Sequence, residues 1–153
     1  MKLRIFTAGF SRAIIAFFAI ALVLLVAWVS IVSPDQRSER EKVDERVFDA
    51  IKKDSHWNLN TRMLYGYYFI NKRKAPLIVL SFILYFGGRR IVGISYDEET
   101  KVNTLHVERI QIHDVASMAT EGIRLKRIAL ICCFSDYDGW DVGPDLTPTK
   151  QSH

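Results

Sequence analysis

Residues 13–32, AIIAFFAIALVLLVAWVSIV, form a stretch of twenty residues without a charge near the start of the chain. At about 1.5 Å per residue, a helix of this length matches a hydrocarbon core about 30 Å thick. The stretch predicts a single membrane-spanning helix with one domain after it. The predicted order is a short basic tail (1–12), the span (13–32), a charged membrane-proximal helix (33–55), an α+β domain (56–135) and a polar, partly disordered tail (136–153).

The flanks of this stretch indicate an uncleaved signal anchor. A signal peptide has a shorter apolar region of roughly 7–15 residues, and bulky residues around Trp28 stand where a cleavage site needs small ones. Basic residues lie on both sides, so the orientation rests on the acid-free tail before the stretch. We expect an inner-membrane protein with its N-terminus in the cytoplasm and its domain in the periplasm, or in the lumen or outside the cell in a eukaryote.

The basic charge of the chain does not predict nucleic-acid binding. The net charge is +4 and the isoelectric point is near 9.1. Lys2, Arg4 and Arg12 carry three of these charges before the predicted span, which leaves a nearly neutral domain. A phosphate backbone requires a basic surface. The expected partners are the lipid bilayer and another membrane or envelope protein, with no nucleic acid.

Residues 33–55 carry the signals of a charged helix. Ser33 and Gln36 fit a capping box, and Pro34 suits the first helical position. Opposite charges four residues apart, such as Arg40 and Asp44, can pair on the exposed surface of such a helix.

This helix also has a narrow apolar stripe, in which Val43, Val47 and Ile51 recur at a spacing of four. The stripe can pack on the helix's own domain, or it can form a homodimer through residues 43–51. About two heptads are too few to decide between these arrangements.

From Trp57 onward the pattern becomes typical of antiparallel β-structure. Aromatic and β-branched runs are separated by polar or glycine-rich turns. The predicted strands are residues 62–70, 77–86, 89–96 and 101–113. Residues 115–122 are interpreted as a short helix or turn, and residues 123–134 as a last strand or a short helix. The predicted fold is α+β, with the membrane-proximal helix packed on a small antiparallel β-sheet of four to five strands.

The apolar run at residues 77–86 has two interpretations. Its ten residues are about half of what a membrane helix needs, and Arg89 and Arg90 stop its extension. As a strand it would be buried on both faces and central in the sheet. A second membrane segment is the alternative.

Two cysteines, Cys132 and Cys133, are adjacent in sequence. Neighbouring cysteines rarely bridge one another, because a disulfide requires a geometry that one peptide link hinders. We interpret them as small apolar residues of a buried element. A redox pair, a metal-ligand pair and an intermolecular bridge stay open, without supporting residues at a recognisable spacing.

His113 and Asp114 could act as an oriented general base, with Ser95 or Ser117 as a nucleophile. The sequence contains no nucleophile elbow, zinc-protease motif or phosphate-binding loop to support this. We therefore predict no enzyme, no catalytic residue and no cofactor. A small hydrolase built on His113 and Asp114 is the alternative.

Asp136, Asp138 and Asp141 superficially resemble a calcium loop. An EF-hand loop needs a glutamate at its twelfth position, where this chain has Thr147. Asp-Gly pairs are commonly plain turns. We predict no metal site, and a metal-binding domain using these three aspartates is an alternative.

An aromatic cluster beside basic residues is the most suggestive feature for recognition. Tyrosine and arginine are enriched at protein interfaces. The same aromatic residues could instead build the core of a small sheet. The candidate partner-binding residues are Arg62, Tyr65, Tyr67, Tyr68, Lys72, Arg73 and Lys74.

The predicted function is that of a membrane-anchored accessory or interaction protein. It would display a small protein-binding domain outside the cytoplasm and act in the assembly or inhibition of a membrane-associated complex. An anchored immunity or exclusion protein, acting against an incoming toxin or machine, is the first alternative. The hydrolase or metal-binding domain is the second.

Overall fold

The computed structural model describes residues 34–55 and 57–145 of the chain. The predicted anchor at residues 13–32 lies outside these residues and stays a prediction. Within the described part, no helix combines the length and apolarity needed to cross a bilayer.

Three helices and four strands make up the described chain, which confirms the predicted α+β class. The helices are α1 (Pro34–Ser55), α2 (Lys74–Phe86) and α3 (Val115–Cys133). The strands are β1 (Met63–Asn71), β2 (Arg90–Asp97), β3 (Val102–Gln111) and β4 (Asp136–Pro144).

The strands form one antiparallel sheet in the order β2–β3–β1–β4. From β1 to β4 the chain runs strand, helix, strand, strand, helix, strand. With this sheet order, that connectivity is the split βαβ, or ferredoxin-like, arrangement, preceded here by α1. Both β1 and β3 are central strands. Side chains at their middle therefore have strand neighbours on both sides.

The core lies between one face of the sheet and the helices. Alternate residues of β1, namely Tyr65, Tyr67 and Phe69, are fully buried there, as the two-residue period of a strand requires. Leu105 and Val107 of β3 are buried on the same face. The helices cover them with Leu77, Leu80 and Leu84 of α2 and Met118, Leu125 and Ala129 of α3.

The predicted charged helix is confirmed as α1, which packs on α3. Packing of the whole stripe on its own domain is wrong, because Val43 is 49% and Val47 is 36% exposed. Asp44 and Phe48 are buried instead. Contacts with Trp140 explain why this side of α1 faces the domain. The indole Nε1 donates to Asp44 Oδ1 at 3.0 Å, and the centroids of the Trp140 and Phe48 rings are 5.4 Å apart. A homodimer through residues 43–51 stays a prediction.

The predicted strand at residues 77–86 is wrong, since these residues belong to helix α2. The buried residues Leu77, Leu80 and Leu84 recur at helical spacing. The opposite face of α2 is apolar as well, so hydrophobicity along the sequence shows no helical period.

A short helix is one interpretation of residues 115–122 and of residues 123–134. Both segments belong to one uninterrupted helix, α3 (Val115–Cys133), so the turn and last-strand interpretations are wrong. Glycine inside a helix usually weakens it, by about 1 kcal/mol relative to alanine. Gly122 faces Arg40 of α1, and a Cβ there would lie 3.4 Å from Nε of Arg40, which is ordinary van der Waals contact.

The tail predicted to be polar and partly disordered begins with strand β4, so this prediction is wrong for residues 136–144. β4 pairs with β1, with a register shift between Tyr68 and Phe69. Tyr137, Trp140 and Val142 pack against the core from this strand. The inward aromatic side chains stabilise an edge strand whose remaining residues are largely aspartate and glycine.

Candidate functional site

The sheet has a second face that none of the described helices covers. The residues on this face alternate with the buried ones, and strand register places them opposite one another. We call this surface the open face. It is formed by Leu64, Gly66, Tyr68 and Ile70 of β1, Thr104, His106, Glu108 and Ile110 of β3, Arg90 and Ser95 of β2, and Asp141 of β4.

At the centre of the open face, Tyr68 and His106 are opposite one another on β1 and β3. Their rings stack with centroids 4.6 Å apart and an interplanar angle of 17°. Cross-strand aromatic pairs of this kind stabilise a sheet. This pair fixes the position of both rings over the two central strands.

The Tyr68 hydroxyl donates to Asp141 Oδ2 at 2.7 Å, which ties β1 to β4. Partial burial, this hydrogen bond and the negative charges of Asp141 and Glu108 raise the pKa of Tyr68 to about 12. The phenol therefore keeps its proton at physiological pH and stays a hydrogen-bond donor.

Gly66 of β1 lies beneath the Asp141 and His106 side chains. A Cβ at this position would lie 2.2 Å from Oδ1 of Asp141 and 2.9 Å from Nε2 of His106. The Asp141 and His106 side chains therefore occupy the space above Gly66, the residue of β1 that has no side chain. His106 Nε2 is enclosed and has no hydrogen-bond partner among the described residues, with Glu108 Oε1 at 3.6 Å.

Arg90 and Glu108 extend this group toward the β2 edge. Arg90 Nε donates to Glu108 Oε2 at 3.0 Å, and its Nη2 contacts the same oxygen. The guanidinium side chain is 71% exposed, whereas that of Glu108 is 13% exposed. Polar side chains thus run across all four strands. We call this set, Arg90, Glu108, His106, Tyr68 and Asp141, the cross-sheet row.

On the helix side of the sheet, a second polar network is buried. Arg89 and Glu121 form an ion pair that is almost fully buried. The Tyr67 hydroxyl donates to Gln111 Oε1 at 3.0 Å and lies 3.3 Å from His113 Nε2. Burial raises the pKa of Tyr67, because it disfavours the phenolate.

In the hydrolase alternative, His113 and Asp114 would act together, but each has a different partner or role in the structure. His113 is buried and its Nδ1 lies 3.1 Å from Ser117 Oγ. Asp114 instead caps α3, since its Oδ1 accepts from the Ser117 amide at 2.7 Å, and hydrogen bonds from Ser117 lower the pKa of Asp114. Ser95 is on the open face, opposite Thr104, on the other side of the sheet from His113.

The three aspartates of the predicted metal alternative lie on strand β4 and not on a calcium loop. Asp141 bonds to Tyr68, while Asp136 and Asp138 are exposed. Within residues 34–55 and 57–145, no group of three or more histidine, cysteine, aspartate or glutamate side chains is placed to hold a metal ion.

The candidate partner-binding residues separate into two groups. Tyr65 and Tyr67 have no exposed surface, so their side chains are withdrawn from any partner and belong to the core. Tyr68 is in the cross-sheet row. Arg62 lies near Asp145, with Nη2 and Oδ2 3.7 Å apart. Lys72, Arg73 and Lys74 are exposed where β1 leads into α2.

Cys132 and Cys133 are both free thiols near the end of α3. Cys133 is buried in the core and Cys132 is exposed, so only one of them fits the interpretation as a buried apolar residue. Burial raises the pKa of both thiols. A raised pKa keeps a thiol protonated and less nucleophilic at neutral pH.

Sequence reasoning did not include four members of the cross-sheet row among the partner-binding residues. These are Arg90, Glu108, His106 and Asp141, of which Asp141 was named only as a metal-ligand alternative. Alternation along residues 101–111 could have placed His106 and Glu108 on one face of a strand. Asp141 had no such signal, because its place depends on the pairing of β4 with β1.

Comparison with models of protein families and with curated proteins finds no match for this chain. The ferredoxin-like arrangement hosts many unrelated activities. Function must therefore be argued from the open face and from the sequence that precedes the domain.

Proposed function

We propose that this chain is a single-pass membrane protein whose α+β domain binds another protein through its open face. The observation that carries the proposal is the cross-sheet row, an ordered set of side chains on a sheet face that no described helix covers. Stacking and a hydrogen bond hold Tyr68, His106 and Asp141 in place before any partner arrives. Pre-organisation of this kind reduces the entropy lost on binding.

The composition of the open face fits a protein partner. Partly exposed aliphatic residues, Leu64, Ile70 and Ile110, surround the polar row. An apolar patch with aromatic, arginine and acidic groups offers both contact area and directional bonds. Such a face would act in the assembly or inhibition of a membrane-associated complex. An immunity or exclusion role would use the same face.

A nucleic-acid partner is less suited to this face. Four-stranded sheets with aromatic side chains on the central strands can stack single-stranded bases. Here each of the two central rings already stacks on the other, and the carboxylates of Glu108 and Asp141 flank them. Two carboxylates beside the rings repel a phosphate backbone.

The membrane part of the proposal rests on the sequence. Residues 13–32 are uncharged, long enough to span a bilayer and preceded by a basic tail. An anchor would hold the domain at a membrane and raise its effective concentration toward a partner in the same membrane.

Site-specific photocrosslinking in cells tests the binding surface. A photoreactive phenylalanine analogue replaces Thr104 on the open face or, as a control, the exposed Asp49 on α1. We expect a discrete heterologous adduct from position 104, none from position 49, and loss of the adduct when Tyr68→Ala is added. Equal adducts from both positions, or an adduct that survives Tyr68→Ala in a folded variant, would contradict the proposal.

A further inference from the structure

Helix α2 exposes an apolar surface that the protein-binding proposal does not use. Its three leucines, Leu77, Leu80 and Leu84, are buried, yet Phe82 and Tyr85 are each 61% exposed and Phe86 is 84% exposed. We call the exposed apolar side chains the α2 surface. They are Ile78, Val79, Phe82, Ile83, Tyr85 and Phe86.

The spacing of the α2 surface gives it one continuous stripe. Ile78, Val79, Phe82, Ile83 and Phe86 follow one another at intervals of one, three, one and three residues, which keeps them on one side of a helix. No charged residue occurs between Lys74 and Arg89. A soluble domain rarely exposes an apolar stripe of this extent without a binding role.

The charged residues that flank α2 in the sequence are all positive. Lys72, Arg73 and Lys74 are exposed at its start. In the sequence, no aspartate or glutamate occurs between Asp54 and Asp97. An apolar helix face with basic residues beside it is the pattern of a helix that lies in the interface of an anionic bilayer.

We propose that the α2 surface docks on an anionic lipid bilayer, with the apolar stripe among the upper acyl chains and Lys72, Arg73 and Lys74 at the phosphates. This inference rests on the proposed membrane location, since an anchor at residues 13–32 would keep lipid at a high local concentration. A second copy of the chain fits less well, because its own α2 region offers no acid to these three cations.

The test uses the full chain in vesicles of phosphatidylcholine with phosphatidylglycerol. In a Cys132→Ser and Cys133→Ala background, a nitroxide is attached at Phe82→Cys or, as a control, at Ser95→Cys on the open face. Collision of the label with oxygen, which enters lipid, is compared with collision with a water-soluble nickel complex. We expect the oxygen-to-nickel ratio at position 82 to exceed that at position 95 several-fold.

Charge reversal supplies the second arm. Lys72→Glu, Arg73→Glu and Lys74→Glu together, or vesicles of phosphatidylcholine alone, should lower the ratio at position 82 toward that at position 95. A ratio unchanged by both would overturn the role of the basic residues and of anionic lipid.

The remaining outcomes separate this inference from the proposed anchor. If the chain floats with the vesicles but position 82 is as water-accessible as position 95, lipid docking of α2 is overturned while the anchor stands. If labels at position 82 broaden one another and unlabelled chain removes the broadening, a second copy covers α2 and the inference is again overturned. A chain that does not float with vesicles contradicts both.

Discussion

Arg89 and Arg90 are neighbours in sequence, yet each pairs with a glutamate on a different side of the sheet. Arg89 is 6% exposed and pairs with Glu121 of α3 beneath the helices, whereas Arg90 is 71% exposed and pairs with Glu108 on the open face. A buried ion pair must compensate fully for lost hydration, but an exposed pair remains solvated. The same chemistry therefore has a structural role on one face and can be rearranged by a partner on the other.

The largest expected effect follows from removing one partner of the buried pair. Arg89→Ala leaves the Glu121 carboxylate buried without its cation, and we expect the free energy of unfolding to fall by about 3–5 kcal/mol. Arg90→Ala removes a solvated partner and should lower it by at most about 1 kcal/mol. Chemical denaturation in detergent, followed by tryptophan fluorescence, measures both. Equal losses of unfolding free energy in the two variants would show that the buried and the exposed ion pair do not differ in their contribution to stability.

A double variant distinguishes charge from packing at this site. Arg89 also lies against the Tyr67 ring, with the guanidinium carbon 5.8 Å from the ring centroid. Arg89→Met with Glu121→Leu removes both charges and keeps most of the volume, so it should regain much of the stability that Arg89→Ala loses. A double variant as unstable as Arg89→Ala would show that the contacts of the Arg89 side chain, and not its charge, account for the lost stability.

Three of the four strands were predictable from the sequence because their signals are local. β1, β2 and β3 combine β-branched and aromatic residues with turn residues at their ends, and each lies within two residues of its predicted bounds. Helix α1 was predictable for the same reason, since capping residues and charge pairs are short-range features. The burial of Asp44 was not, because it depends on Trp140, far along the chain.

Helix α2 was not predictable because both of its faces are apolar. An amphipathic helix reveals itself by a period of about 3.6 residues, and a stripe of exposed Phe82 and Phe86 opposite buried Leu80 and Leu84 removes that period. Ile78, Val79 and Ile83 are β-branched and favoured the strand interpretation. The feature that misled the sequence reasoning is the same one that supports docking on lipid.

The cross-sheet row was beyond sequence reasoning because it is assembled by non-local pairing. Tyr68 was named as a candidate residue, but Asp141 meets it only because β4 pairs with β1. β4 itself is rich in aspartate and glycine, which have low strand propensity, and tertiary contacts of Tyr137, Trp140 and Val142 override that tendency.

Gly66→Ala tests the open face without touching the buried one. The added methyl would push away Asp141 Oδ1 and His106 Nε2, which lie 2.2 and 2.9 Å from its ideal position. We expect a loss of about 1–3 kcal/mol in the free energy of unfolding, with loss of the photocrosslink from position 104.

Gly93→Ala is the matched control, because Gly93 pairs with His106 on the neighbouring strand and has no atom within 4 Å of an ideal Cβ. It should keep both the stability and the crosslink. A crosslink that persists at full yield in Gly66→Ala would show that partner binding does not depend on the arrangement of the cross-sheet row.

The smallest expected effect is a pH dependence that belongs to the buried face. Burial lowers the pKa of His113 below its ordinary value of 6.5. The negative charges of Glu121 and Asp114 raise this pKa, and the positive charges of Arg109 and Arg89 lower it further. As pH falls through 6.5, the unfolded chain binds the proton first, so the free energy of unfolding decreases until His113 also titrates in the folded state. Melting in detergent between pH 7.5 and 5.5 should show this decrease, and His113→Gln should flatten it even if the variant is less stable at every pH. A slope that persists unchanged in His113→Gln would contradict this assignment.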